Sequence, residues 1–226
     1  MKEIISQLEG KIIASSQAYP GEPMRHPETM AQISLACEQG GAAAIRCQGL
    51  ADIAAIKGQV HVPVIGLWKE NMLGFEDIYI TPTLRHARCC VYAGSDIVAI
   101  DATDKARPDG LTFEQTVSEL KKETIVMADC GCIDDIKRAL YAGCEIVSTT
   151  LAWYFGDRPK TEGPDLEFLE ESAKLVDDKA ALFCEGRIHS PKDAQDAFNA
   201  GAFAVVVGTA ITHPTSITSW FVDAVK

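Results

Sequence analysis

Four helix–glycine–strand junctions of one pattern, eight near-continuous apolar runs and a length of 226 residues predict an α/β protein. The expected form is a single-domain (β/α)8 TIM barrel spanning 1–226. The junctions are Gly40-Gly-Ala-Ala-Ala-Ile-Arg46, Ala93-Gly-Ser-Asp-Ile-Val-Ala-Ile-Asp101, Ala142-Gly-Cys-Glu-Ile-Val-Ser-Thr-Thr150 and Ala200-Gly-Ala-Phe-Ala-Val-Val-Val-Gly208. In each, a helical stretch halts at glycine, whose missing Cβ permits the left-handed turn that closes a helix. An apolar run then starts within the length of a short αβ loop. Runs without polar alternation belong to parallel strands covered on both faces.

The same reading places strands at 11–17, 42–47, 62–68, 97–101, 124–129, 145–150, 181–185 and 204–208. Helices fall near 28–39, 51–58, 82–92, 112–121, 133–142, 165–176, 191–199 and 215–225. Ser190-Pro191 supplies a cap and a first-turn proline for the seventh of them. An open doubly wound sheet would need a glycine-rich nucleotide loop after the first strand, and Ser15-Ser-Gln-Ala-Tyr-Pro-Gly21 is not one. The C-terminal run Ile217-Thr-Ser-Trp-Phe-Val222 is expected chiefly as the last core-packed helix, with a homodimer contact as a second role.

Composition narrows the function classes. Hydrophobic residues make up 47%, charged residues 23% and aromatics 7%, an ordinary globular balance. A net charge of −11 argues against a nucleic-acid surface, which needs clustered Lys and Arg. It leaves an anionic small ligand open, because the field inside a pocket can oppose that of the whole protein. No leader-like h-region and no apolar run approaching about 20 residues are visible, so a cytoplasmic protein without membrane association is expected. Of eight cysteines, Cys37, Cys47, Cys130, Cys144 and Cys184 lie in or beside apolar segments, where Cys acts as a small hydrophobe. Cys89-Cys90 and Cys130-Gly-Cys132 lack CxxC spacing, which leaves reduced thiols of a cytoplasmic chain. The histidines His26, His61, His86, His189 and His213 fall in loops or helices rather than at strand ends, so no metal site is expected.

Active sites of such barrels lie at the C-terminal ends of the strands. Here nearly every strand ends on a polar residue: Gln17, Arg46, Lys69 just beyond its strand, Asp101, Asp129, Thr150 and Glu185. Alternation along a strand aligns Lys69 with Leu67 and Ile65, Glu185 with Phe183, and Arg46 with Ala44 and Ala42. Charges crowning apolar columns must be paired or used. A purely structural ion network of Arg46, Asp129 and Glu185 is one reading; convergence from so many strands favours a site. Lys69, among cations and apolar walls, is expected to have a lowered pKa, suited to proton abstraction or to Schiff-base formation. The loops after strands seven and eight begin Glu185-Gly-Arg187 and Gly208-Thr-Ala-Ile-Thr212. Their glycines and a short helix start suit a phosphate group. An enzyme handling a small phosphorylated sugar is the resulting expectation.

At these residues the chain resembles the N-acetylmannosamine-6-phosphate 2-epimerase family nearly end to end. The resemblance is carried by Ser16-Gln17, Ala44-Ile-Arg46, Pro63-Val-Ile-Gly66 leading to Lys69, and Ile80-Thr-Pro-Thr83. It continues through Ala99-Ile-Asp101, Thr103-Asp104, Arg107-Pro108, Asp129-Cys130, Ser148-Thr-Thr-Leu151, Tyr154 and Pro164-Asp165. Glu185-Gly-Arg187 and Val207-Gly-Thr-Ala-Ile-Thr212 complete it.

The resemblance implies reversible inversion at C2 between N-acetylmannosamine 6-phosphate and N-acetylglucosamine 6-phosphate, in amino-sugar breakdown, with no metal or nicotinamide cofactor. It implies that Lys69 moves the C2 proton while Glu185 assists ring opening or proton return. Gln17, Arg46 and Asp129 would position the sugar and its N-acetyl group, with Thr150 and Arg187 as further substrate-binding candidates. Gly186, Arg187, Gly208 and Thr209 would hold the phosphate. Where the family commonly has Lys-Arg-Asp this chain has Lys69-Glu70-Asn71, His213 replaces an arginine, and Trp153 is bulkier than expected. A Schiff-base aldolase using Lys69 and a non-catalytic sugar-phosphate sensor are the competing readings.

Overall fold

In the computed structural model, which describes residues 2–75, 78, 80–154 and 158–226, every strand pairs in parallel with its sequence neighbours. They are β1 (Lys11–Ser16), β2 (Ala44–Gln48), β3 (Val64–Leu67) and β4 (Ile97–Asp101), then β5 (Ile125–Asp129), β6 (Ile146–Ser148), β7 (Ala181–Glu185) and β8 (Ala204–Val207). The last strand pairs with the first, Ile13 opposite Val206, and closes the barrel. The outer helices are α2 (Pro27–Gln39), α3 (Leu50–Lys57), α4 (Leu84–Ala93), α5 (Phe113–Leu120), α6 (Ile133–Ala142), α7 (Leu166–Val176) and α8 (Pro191–Asn199). Two shorter pieces were not anticipated, α1 (Lys2–Ser6) and a 3-10 turn at Asp177–Lys179, while the short helix start expected after β8 is α9 (Thr209–Thr212), ahead of α10 (Pro214–Asp223). No helix among the described residues is long and apolar enough to cross a membrane.

The glycine junctions work as expected: Gly41, Gly94, Gly143 and Gly201 have φ of 100°, 112°, 79° and 101°, which a Cβ would oppose. Helix starts are also written locally. Thr112 and Gln115 form a reciprocal capping box on α5, and Ser190 caps α8 ahead of Pro191.

Strand alternation sorts the apolar residues into two shells. Ile13, Ile65, Ile97, Ile125, Ile146 and Phe183 fill the barrel interior, while Ile45, Val98, Val126, Val147, Leu182 and Val205 face the helices. Leu8, with Ile4 and Ile5 of α1, packs on the interior cluster and stoppers it at the N-terminal end. The opposite end is left polar, and that is where the site forms.

Three expectations need correction. Strands three and six are shorter than the apolar runs that announced them, covering Val64–Leu67 and Ile146–Ser148. Ala42 does not share the interior side with Arg46. It precedes β2 and joins the outer shell, while Ala43 packs on the interior cluster. The C-terminal helix is not core-packed: α10 has no buried residue, and Phe221 and Val225 are 73% and 85% exposed. The cause is α9, which takes up the chain after β8 and is tied to β1 by Thr212 Oγ1 donating to Ser15 O at 2.6 Å. α10 therefore starts beyond the barrel rim, against α9 and the His189 ring.

Candidate active site

Arg46 is fully buried, an expensive position for a guanidinium unless its donors are met. Its partner across the barrel mouth is Asp129, also fully buried: Nη1 donates to Oδ1 at 3.1 Å and Nη2 to Oδ2 at 2.7 Å. This fork geometry is the strong form of the ion pair. The third guanidinium nitrogen, Nε, stands 3.2 Å from Glu185 Oε2. Thr150 Oγ1 lies 2.7 Å from Asp129 Oδ1 and 3.0 Å from Glu185 Oε2. Three strands and the loop after β6 thus converge on one neutralised cluster.

Lys69 and Glu185 complete it from β3 and β7, four strands apart and so on opposite walls of an eight-strand barrel. Burial and, next, the Arg46 charge push the Lys69 ammonium down to about 8. Burial raises the Glu185 carboxyl above its ordinary range, against the pull of Arg46. Both shifts favour uncharged forms, chiefly because burial strips water from the charged groups. A lysine moved towards the free amine facing a carboxyl moved towards the acid can take and give protons near neutrality. The Lys69 ammonium also lies 5.8 Å from the centre of the Tyr19 ring.

One cavity, opening at the C-terminal ends of the strands, is lined by Gln17, Arg46, Lys69, Thr150, Glu185, Gly186, Arg187, Gly208 and Thr209. Of the expected site residues only Asp129 is absent from its wall, lying behind Arg46 and Thr150. At the end furthest from Lys69, Gly208 precedes the first turn of α9 and Gly186 turns the chain after β7 at φ 114°. Arg187, itself left-handed at φ 57°, donates through Nε to Thr161 Oγ1 and Gly163 O and through Nη1 to Ala152 O. Asp101 stays out of the wall and accepts from Thr103 N and Oγ1 at 2.8 and 2.6 Å. Among the described residues, no three His, Cys, Asp or Glu side chains gather closely enough to hold a metal ion.

Several wall residues escaped the sequence reading. Ser15 was within reach, since it alternates with Ile13 and Gln17 along β1. Tyr19, His189 and His213 come from loops or a helix start, where no periodicity announces them. Two of the unusual positions have partners. Glu70 Oε2 stands 2.9 Å from His86 Nε2, and His86 in turn meets Thr83 at the cap of α4. His213 Nε2 meets Glu22, whose other oxygen accepts from Tyr19 N at 2.6 Å, so His213 ties the loop after β1 to the start of α10. Trp153 lies outside the cavity wall, its ring 4.6 Å from the Lys160 ammonium.

Comparison with known proteins gives a consistent set of likenesses. The profile of the N-acetylmannosamine-6-phosphate epimerase family matches residues 30–226. A protein of Cutibacterium acnes named N-acetylmannosamine-6-phosphate 2-epimerase is 56% identical over 225 residues, 99% of this chain and 97% of its own length. Its namesake from Caldanaerobacter subterraneus is 44% identical over 227 residues, 99% of this chain and 94% of its own. The solved N-acetylmannosamine-6-phosphate 2-epimerase of Clostridium perfringens superposes with a TM-score of 0.93 at 36% identity, covering 98% of this chain and 96% of that one.

Proposed function

The chain belongs to the N-acetylmannosamine-6-phosphate epimerase family, and on that premise we propose that it is an isomerase interconverting N-acetylmannosamine 6-phosphate and N-acetylglucosamine 6-phosphate at C2. The observation that carries this reading is the pairing of Lys69, pushed down to about 8, with a raised Glu185 around the Arg46–Asp129 fork. In the ring-opened sugar, C2 carries a proton acidified by the neighbouring aldehyde. Lys69 takes that proton, leaving a 2-acetamido enolate whose negative charge, carried on O1, faces the Arg46 guanidinium. Return of a proton to the other face of C2 gives the epimer. Glu185, on the opposite wall, assists ring opening or that proton return. Neither step needs a metal or nicotinamide.

Gln17, Thr150 and Arg46 orient the sugar, with Asp129 holding Arg46 in place. Gly186, Gly208 and Thr209 hold the 6-phosphate through backbone N–H groups and the start of α9, and Arg187 adds positive charge. Fixing the phosphate at this distance turns affinity into orientation of C2 against the lysine. The test is incubation with N-acetylmannosamine 6-phosphate in D2O, followed by NMR at C2. Deuterium at C2 and appearance of the gluco epimer are expected; an enzyme that produces neither refutes the reading. The same experiment discriminates against a binding-only sensor.

The protein is proposed to work in the cytoplasm, a reading supported by free thiols at Cys47, Cys90, Cys130, Cys144 and Cys184, all buried. A homodimer is proposed as well, supported by the exposed apolar residues of α10, where Trp220, Phe221 and Val222 are 39%, 73% and 48% exposed. Light scattering behind a sizing column tests it, with twice the mass of the 24.4 kDa chain expected and a monomer at micromolar concentration counting against it.

A further inference from the structure

The barrel wall is interrupted beside Lys69. β2 accompanies β3 as far as Gln48 opposite Leu67, and β4 accompanies β5 from Ile97–Ile125 to Asp101–Asp129. Between β3 and β4 the ladder registers only Ile65 with Ile97 and Gly66 with Val98 among the described residues. Ile80 and Thr81 fill the gap that follows. On the β3 side, Thr81 N donates to Trp68 O at 2.8 Å, Trp68 N donates to Thr81 Oγ1 at 3.1 Å, and Ile80 forms an antiparallel bridge with Lys69. On the β4 side, Thr81 Oγ1 donates to Ala99 O at 2.7 Å and Asp101 N donates to Ile80 O at 3.2 Å.

Thr81 makes this joint with its side chain. A hydroxyl has one hydrogen to give and lone pairs to receive with; here it gives to β4 and receives from the end of β3. The residue is fully buried and stands at φ 49°, in the left-handed region where a β-branched residue is strained. Glycine would relieve the strain but carries no hydroxyl. Strain of this kind persists where the surroundings over-determine it, and it clusters at functional sites. Buried Arg107 adds to the surroundings: its Nη1 lies 3.5 Å from Thr81 O and from Pro82 O, and its Nη2 donates to Asp101 O. The Ile80-Thr-Pro-Thr83 and Arg107-Pro108 segments thus form one brace against the backbone of Trp68 and Lys69.

We infer that Thr81 is a positioning residue, whose hydroxyl fixes the Trp68–Lys69 backbone to β4 and so sets the Lys69 amine against C2. The inference rests on the role proposed above for Lys69. Leu67 is the last residue of β3 tied to the β2 side, its O accepting from Gly49 N at 2.8 Å. Beyond it the chain leaves the barrel ladder, and Thr81 and Ile80 take over. Without the hydroxyl, Trp68 N–H and Ala99 O lose their partner, and a shift of about 1 Å at a reacting group can cost about 10²-fold in rate.

The test compares Thr81→Val, which keeps the branched shape without the hydroxyl, with Thr81→Ser, which keeps the hydroxyl. C2 exchange is measured below the melting transition, with folding checked by circular dichroism. Thr81→Val is expected to lower kcat by about 10–100-fold with KM within about threefold of wild type, since orientation acts in the transition state. Thr81→Ser should stay within about threefold of wild type in both, because a serine hydroxyl can give and receive the same bonds. Competitive acetylation of Lys69 against pH, read by mass spectrometry, follows the amine without substrate. Its midpoint, about 8 in wild type, should rise in Thr81→Val, where a loosened lysine reaches water, and hold in Thr81→Ser. Thr81→Ala repeats both measurements if Thr81→Val fails to fold. A folded variant without the hydroxyl that keeps the wild-type kcat and midpoint overturns the role of Thr81 and leaves the epimerase reading intact. A Thr81→Ser protein as impaired as Thr81→Val overturns it too. A wild-type protein that exchanges no C2 proton overturns the epimerase reading, and the Lys69 midpoint then decides for or against Thr81 alone.

Discussion

Asp129 and Glu185 are joined through a single hydroxyl, Thr150 Oγ1, which lies 2.7 Å from one carboxylate and 3.0 Å from the other. Asp129 already receives two guanidinium N–H groups from Arg46. Glu185 depends more on the hydroxyl, which opposes the upward push of burial on its carboxyl. Thr150→Val removes that donor at nearly constant volume, so the Glu185 pKa should climb further. The ionisation of kcat/KM that belongs to Glu185 should move to higher pH, while Thr150→Ser, which keeps the hydroxyl, should leave it in place. A Thr150→Val profile superimposable on wild type would show that the contact does not tune Glu185.

Lys69 sets the other limb. Only the free amine accepts a proton, and its share reaches one half at the group's pKa of about 8 and saturates above it. C2 exchange, as kcat/KM, should therefore rise from pH 6 and level off above about 8. Lys69→Met should lower it by roughly 10²–10⁴-fold, the usual range for a positioned general base. Lys69→Arg should not rescue it, because arginine stays protonated. Borohydride trapping with substrate separates base from Schiff base: no covalent adduct is expected, and an adduct on Lys69 would favour the aldolase route.

Much of this barrel could be read before any coordinates, and the reason is local. Gly94 and Gly143 stop their helices by backbone conformation, and Val98, Ile100, Val126 and Ala128 mark strands because both faces are covered. Alternation also told which strand-end charges point inward. It could not tell that Arg46 meets Asp129, a partner 83 positions away, since several acids satisfy the same parity. Strands three and six were overread because Trp68 and Thr149 continue a β-prone composition after the ladder has ended. The loop contributors Tyr19 and His213, and the exposure of α10, depend on where α9 sits, which no periodicity encodes.

Asp101 offers a test of linkage away from the chemistry. It is fully buried with Oδ2 unpartnered, and burial pushes it up from 3.8 to about 6. Between those values the folded protein holds a proton that the unfolded chain has released. Its contribution to stability is therefore complete below pH 3.8 and is lost as pH rises through 6. Asp101→Asn has no such titration. The urea-unfolding free energy of Asp101→Asn relative to wild type should improve by about 2 kcal/mol from pH 4 to pH 7. A difference that does not change with pH would mean the carboxylate is better solvated than its position implies.

Arg46 separates stability from catalysis most directly. Arg46→Met leaves two buried carboxyls facing each other across Thr150 with no guanidinium between them, and breaking such a pair typically costs about 3–5 kcal/mol. Replacing both partners, as Arg46→Met with Asp129→Leu, removes the Asp129 charge and leaves only Glu185, whose carboxyl burial already pushes towards the neutral acid. It should restore most of that loss, because a buried ion pair exchanged for apolar side chains is often neutral in stability. Activity should not return with it, since the enolate then lacks its counter-charge. Loss of Arg46 also removes the charge that, after burial, holds Lys69 down, so any residual exchange should level off at a higher pH than in wild type. Thermal melts, urea titrations and the exchange profile read these three effects independently. A double variant as unstable as the single one would make Arg46 a packing element rather than the charge at the centre of the site.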